Sequence, residues 1–98
     1  MPVSTELKAA VSRLARQYGA ERVYLFGSFA RGDATEASDI DLRIDKGSIR
    51  GLQFARLLGD LEDALGRKID LISTNGMDED FRRAIAPEEV LLYERKPA

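Results

Sequence analysis

Apolar residues recur along this chain with two different periods, and the switches between them mark out its elements. Leu7, Val11, Leu14 and Tyr18 follow the 3.6-residue repeat. They predict an amphipathic helix over residues 4–18, with Ser4 or Thr5 as its cap and Gly19 as its stop. Val23, Tyr24, Leu25 and Phe26 form a short continuous apolar run, which predicts a buried strand over 21–26. A short helix from Ser28 to about Gly32 and a small, polar loop over 33–38 follow. The period then falls to two. Ile40, Leu42 and Ile44 alternate with Asp39, Asp41, Arg43 and Asp45, giving a strand with one apolar and one charged face. After a turn over 45–48, Phe54, Leu57, Leu58, Leu61 and Leu65 predict a second long helix over 49–65, ended by Gly66. Lys68–Ile72 reads as a further strand, with Ile69 and Leu71 on one face and Asp70 on the other. A polar loop over 73–80 turns at Asn75-Gly76, and a short helix carrying Phe81 and Ile85 ends before Pro87. Val90–Tyr93 reads as a last short strand and 94–98 as a frayed tail. This order predicts an α/β fold, a small mixed sheet of three to four strands flanked by helices.

Composition narrows the chemistry more than the fold. With 98 residues the chain has material for one domain, 1–98, and a single core. No apolar run approaches the ~20 residues of a membrane-spanning helix. The start Met1-Pro2-Val3-Ser4 lacks a signal-peptide pattern, and a chain without cysteine fits the expectation of a cytoplasmic protein. Cysteine and histidine are both absent, which removes disulfides, thiol catalysis, the usual zinc sites and Ser-His chemistry. Acid–base work falls to carboxylates, Lys or Tyr. A formal charge of −2 argues against non-specific nucleic-acid binding, so no direct nucleic-acid contact is expected. So short a chain has little material for a second domain. A partner macromolecule that brings its own contact surface is then expected, in a hetero-oligomer.

The chemistry concentrates between Gly27 and Asp41. A strand that stops at Gly27-Ser28 and turns into a helix leaves backbone N–H groups free, and such a helix start attracts phosphate. Gly27 lets a ligand approach the backbone closely, and the Ser28 hydroxyl can cap the helix or bind a phosphate oxygen. Arg31 can pair with phosphate or, equally, with Asp33 or another surface acid. At the far end of the stretch, Asp39 and Asp41 are same-face neighbours, roughly 6.5 Å apart at Cα for a rise of ~3.3 Å per residue. Two carboxylates at that spacing repel, and a hard divalent cation such as Mg²⁺ or Mn²⁺ relieves the repulsion. Ser38 either orients the first of these acids or satisfies a loop N–H. Asp78, Glu79 and Asp80 sit where acids favour a helix dipole, and Arg82 and Arg83 read as a solvated face. No EF-hand spacing and no Gly-Lys-Ser/Thr phosphate loop is present.

Gly27-Ser28, then Arg31-Gly32, then Ser38-Asp39-Ile40-Asp41 resembles the signature of the DNA polymerase beta-type nucleotidyltransferase superfamily. The length and the Ala30-Arg31-Gly32-Asp33 wording are most similar to the minimal nucleotidyltransferases, the MNT-type small partners of HEPN toxins. The resemblance implies that Gly27, Ser28 and Arg31 bind the nucleotide and that Asp39, Asp41 and Asp70 are catalytic. Asp39 and Asp41 would hold Mg²⁺, and Asp70 would complete the site as a third metal-binding carboxylate that activates the acceptor hydroxyl. Within the residues alone, Asp70 could instead be a strand-end acid paired with Arg67 or Lys68. The implied reaction is transfer of AMP from ATP, with loss of pyrophosphate, to a tyrosine of a HEPN-type RNase toxin, an antitoxin activity. Two other readings remain at this level: a non-catalytic antitoxin that acts by binding, and a transferase for a small molecule.

Overall fold

A computed structural model describes residues 4–97. Met1–Val3, part of the stretch lacking a signal-peptide pattern, and Ala98 of the expected tail lie outside the described residues. The described elements are α1 (Thr5–Tyr18), β1 (Arg22–Phe26), α2 (Ser28–Arg31), β2 (Ile40–Asp45), α3 (Leu52–Leu65), β3 (Ile69–Ser73), α4 (Glu79–Ile85) and β4 (Val90–Glu94). Short 3₁₀ turns at Thr74–Gly76 and Ala86–Glu88 flank α4. The four strands form one mixed sheet in the order β3-β2-β1-β4. β1 is antiparallel to both β2 and β4, while β3 runs parallel to β2 and is reached through the crossover helix α3.

The period-two strand sets the two faces of the sheet. Ile40, Leu42 and Ile44 are buried with Val23, Leu25, Ile69 and Leu92 beneath α1 and α3, whose Leu7, Val11, Leu14, Leu57 and Leu61 close the core. Ser4 caps α1 by accepting from the Leu7 N–H, and both long helices stop at the glycines the sequence marks. α3 starts at Leu52, three residues later than its apolar period predicts. Gly51 holds φ +54°, a left-handed value that interrupts the helix, and Ile49 plugs the core from the preceding turn instead. The tail is less frayed than expected: Glu94 belongs to β4, and the Arg95 N–H donates to the Glu21 carbonyl.

The opposite face, which the alternation marks as charged, is partly covered. Arg43 is only 5% exposed. Its guanidinium makes two hydrogen bonds to Glu89 (2.5 and 3.0 Å), a third to Thr74 (2.9 Å), and lies 4.0 Å over the Tyr24 ring. This network ties β2 to the segment that enters β4. Removing one member of such a buried pair strands the other's charge. Arg43→Ala is accordingly expected to cost about 3 kcal/mol, seen as a lower urea midpoint at unchanged slope. An unmoved midpoint would mean that Glu89 finds water as readily as it finds Arg43.

Candidate active site

β1 delivers the chain to Gly27, whose φ of +77° and ψ of −157° lie in a region essentially reserved for glycine. A Cβ there would overlap the Asp41 carboxylate. The glycine thus does two things at once: it permits the turn and lets the turn lie against an acidic side chain. The Gly27 N–H is not free for a ligand, because it donates to Glu88 Oε2 at 2.5 Å. Ser28 is the first residue of α2 and makes no cap. Its hydroxyl and the Ser28 and Phe29 N–H groups, which precede any intrahelical acceptor, are the polar groups this turn presents.

Arg31 stands one turn along and satisfies both alternatives for a surface acid. It pairs with Asp33 (3.3 Å) and with Glu88 (3.2 Å) while remaining half exposed. Ser38 accepts from the Thr35 N–H at 2.8 Å, so it satisfies the loop. That loop is also held by Arg67, which donates to the Glu36 and Ser38 carbonyls at 2.9 and 3.0 Å and covers the Phe29 ring. Arg67 therefore does not pair with Asp70, and Lys68 turns to Asp39 at 3.8 Å. Asp70 is exposed.

Register brings the acids together. Asp41 sits opposite Phe26 on one side and opposite Asp70 on the other, so Asp41 and Asp70 share a face on adjacent strands. Burial first, and then the nearby Asp70 and Asp39 charges and a hydrogen bond with Asp70, push the Asp41 carboxyl up from 3.8 to about 6; Arg31 opposes this weakly. Among the described residues no three carboxylates already converge as a ready-made metal shell. The donor set is nevertheless all oxygen and crowded with negative charge, which fits a hard divalent cation.

The crowding makes stability depend on pH. A carboxyl whose folded-state pKa lies above its unfolded value binds more protons when folded, so stability falls as pH rises from about 4 to about 6. In this half-open setting, where water screens the repulsion, the loss at neutral pH is about 1 kcal/mol. Asp41→Asn is expected to raise the melting temperature of metal-free protein at pH 7 by several degrees, for a gain of about 1 kcal/mol in a domain of this size. Mg²⁺ should then stabilise the native chain and leave the variant unmoved. A variant that melts lower, or that responds to Mg²⁺ as the native chain does, would contradict the crowding.

Sequence reasoning missed Glu88, Glu89 and the loop-holding role of Arg67. Each acts on residues far away in the chain, so no local period marks it.

Residues 9–98 match the family of the polymerase beta nucleotidyltransferase domain. The chain is 30% identical over 89 residues to the protein adenylyltransferase MntA of Thermococcus cleftensis, covering 90% of both chains. A solved structure described as a minimal nucleotidyltransferase is 39% identical and superposes with a TM-score of 0.76, over 85% of this chain and 86% of that one. The fold is also that of a solved complex of a tri-AMPylated Shewanella oneidensis HEPN toxin with its MNT antitoxin. There the TM-score is 0.70 at 18% identity, over 91% of this chain and 71% of the matched one.

Proposed function

We propose that this chain, which belongs to the polymerase beta nucleotidyltransferase family, transfers AMP from ATP to a tyrosine hydroxyl of a HEPN-type toxin and thereby silences it. The observation that carries the reading is the meeting of Gly27, Asp41 and Asp70: a glycine turn that could cradle phosphate lies directly against one of two acids paired across adjacent strands. The kinship with MntA of Thermococcus cleftensis supports the nucleotidyl donor and protein acceptor. The likeness in fold to the antitoxin of the AMPylated HEPN complex supports the kind of partner.

In this reading Ser28 and the first N–H groups of α2 take the triphosphate, and Arg31 exchanges part of its pairing with Asp33 and Glu88 for phosphate oxygens. Asp39 and Asp41 would hold Mg²⁺, with Asp70 beside them. The cation would supply charge stabilisation at the entering and leaving oxygens. Asp70, the most exposed of the three acids by its place on β3, accepts the proton of the acceptor hydroxyl. The acceptor oxygen forms its bond to the α-phosphorus in line as the bond to the β-phosphate oxygen breaks, and pyrophosphate leaves.

The test is co-expression with a candidate HEPN-type toxin from the same organism, followed by peptide mass spectrometry. The expected result is AMP on a toxin tyrosine together with restored growth. Growth restored by an unmodified toxin would favour the binding antitoxin and overturn the catalytic reading.

A further inference from the structure

Glu88 is in contact with two of the three residues expected to bind nucleotide, although it lies 61 residues beyond Gly27 and 57 beyond Arg31 in sequence. Its place follows from the ladder. The last recorded rung between β1 and β4 pairs Leu25 with Val90. Continuing the antiparallel register would set Gly27 opposite residue 88, where β4 has not yet begun. The Glu88 side chain fills that rung, its Oε2 accepting the Gly27 N–H at 2.5 Å. Both of its oxygens also lie within reach of the Arg31 guanidinium, at 3.2 and 3.4 Å.

The segment that carries Glu88 is itself held. Pro87 lies in a 3₁₀ turn closed by the Glu89 N–H donating to Ala86. Glu89, the next residue, is clamped by the buried Arg43. The adjacent glutamates therefore divide the work: one anchors to the covered face of the sheet, the other reaches to the turn. Because the Gly27 backbone abuts Asp41, a group that fixes Gly27 also fixes the spacing between the turn and the acids.

We propose that Glu88 is a positioning residue of the nucleotide site, setting the Gly27 turn against Asp41 and holding Arg31 beside it. This rests on the reading of that site as an ATP site, and it goes beyond that reading by assigning the site's geometry to a residue at the mouth of β4. Two variants separate its contacts. In Glu88→Gln the amide oxygen still accepts from Gly27, while the charge pair with Arg31 is lost; in Glu88→Ala both contacts go.

Amide hydrogen exchange in the metal-free, nucleotide-free protein reads the turn directly. Glu88→Ala is expected to speed exchange at Gly27 by about tenfold or more, and Glu88→Gln to leave it within about threefold of the native chain. With ATP, Glu88→Ala should raise KM about tenfold with kcat within about threefold, and Glu88→Gln should recover most of that loss. Unchanged protection of Gly27 in Glu88→Ala overturns the proposal, as does lost protection with an unchanged KM. A loss in the two variants that is equal also overturns it, because a merely structural charge would behave in that way. A native chain that neither binds nor uses ATP would refute the proposed function instead, and the exchange measurement would still decide whether Glu88 holds the turn.

Discussion

Asp39→Ala combined with Asp41→Ala is expected to lower AMP transfer by about 10³-fold or more while leaving the chain folded. The size follows from what the two acids would do. Each is an oxygen donor, and Asp41, which lies against the glycine turn, is the more constrained, caught between Asp39, Asp70 and the space that Gly27 leaves open. Removing both takes away the negative charge that would attract a divalent cation, so no second site can compensate at ordinary Mg²⁺ concentrations. The fold should survive because both side chains stand on the face away from the core, where Ile40 and Leu42 do the packing. The same substitution relieves repulsion, and the variant should melt no lower than the native chain. Steady-state transfer and thermal melting on one preparation check both halves. A double variant that still transfers AMP within tenfold of the native rate would remove these acids from the reaction.

The second large effect is expected at Gly27. Gly27→Ala forces a side chain into a backbone conformation of φ +77° and ψ −157°, which costs about 1–3 kcal/mol. Its new methyl lands on the Asp41 carboxylate, so either the acid or the turn must move. A displacement of about 1 Å at a reacting centre can cost about 10²-fold in rate, and a loss of that order is expected in AMP transfer. Gly51→Ala is the control. It too lies at positive φ, +54°, but a Cβ there meets nothing within 4 Å, so it should lose stability and keep its specific activity. Equal losses of activity in the two variants would mean that backbone strain alone, and not the contact with Asp41, explains the effect.

Local periods made most of this molecule legible. The leucines of α1 and α3 recur with the helix, and the alternation around Ile40, Leu42 and Ile44 assigns the faces of β2. The same alternation places Asp41 away from the core, and it puts Asp70 on the corresponding face of β3; register then sets the two side by side. What the pattern could not convey is whether the polar face is open. Arg43 reads as one more exposed charge, yet its burial depends on Glu89, 46 residues away, and on Tyr24. Glu88 was invisible for the same reason: a side chain that substitutes for a strand's missing backbone rung leaves no periodic trace. The late start of α3 had a local cause that apolar spacing outweighs, since Gly51 breaks a helix that Ile49 extends only when hydrophobicity is counted alone. Arg31 stayed open between phosphate and acid because only one of its carboxylate partners, Asp33, is its neighbour in sequence, while Glu88 lies 57 residues away.

The most direct test of the central claim is to incubate the chain with Mg²⁺, the HEPN-type partner, and ATP labelled in turn at the α- and the γ-phosphate. Nucleotidyl transfer to protein predicts that the partner retains the α-label, that the γ-label leaves with pyrophosphate, and that with the Asp39→Ala, Asp41→Ala variant the partner carries neither. Retention of the γ-label, or a silenced partner that carries no label, would contradict the account.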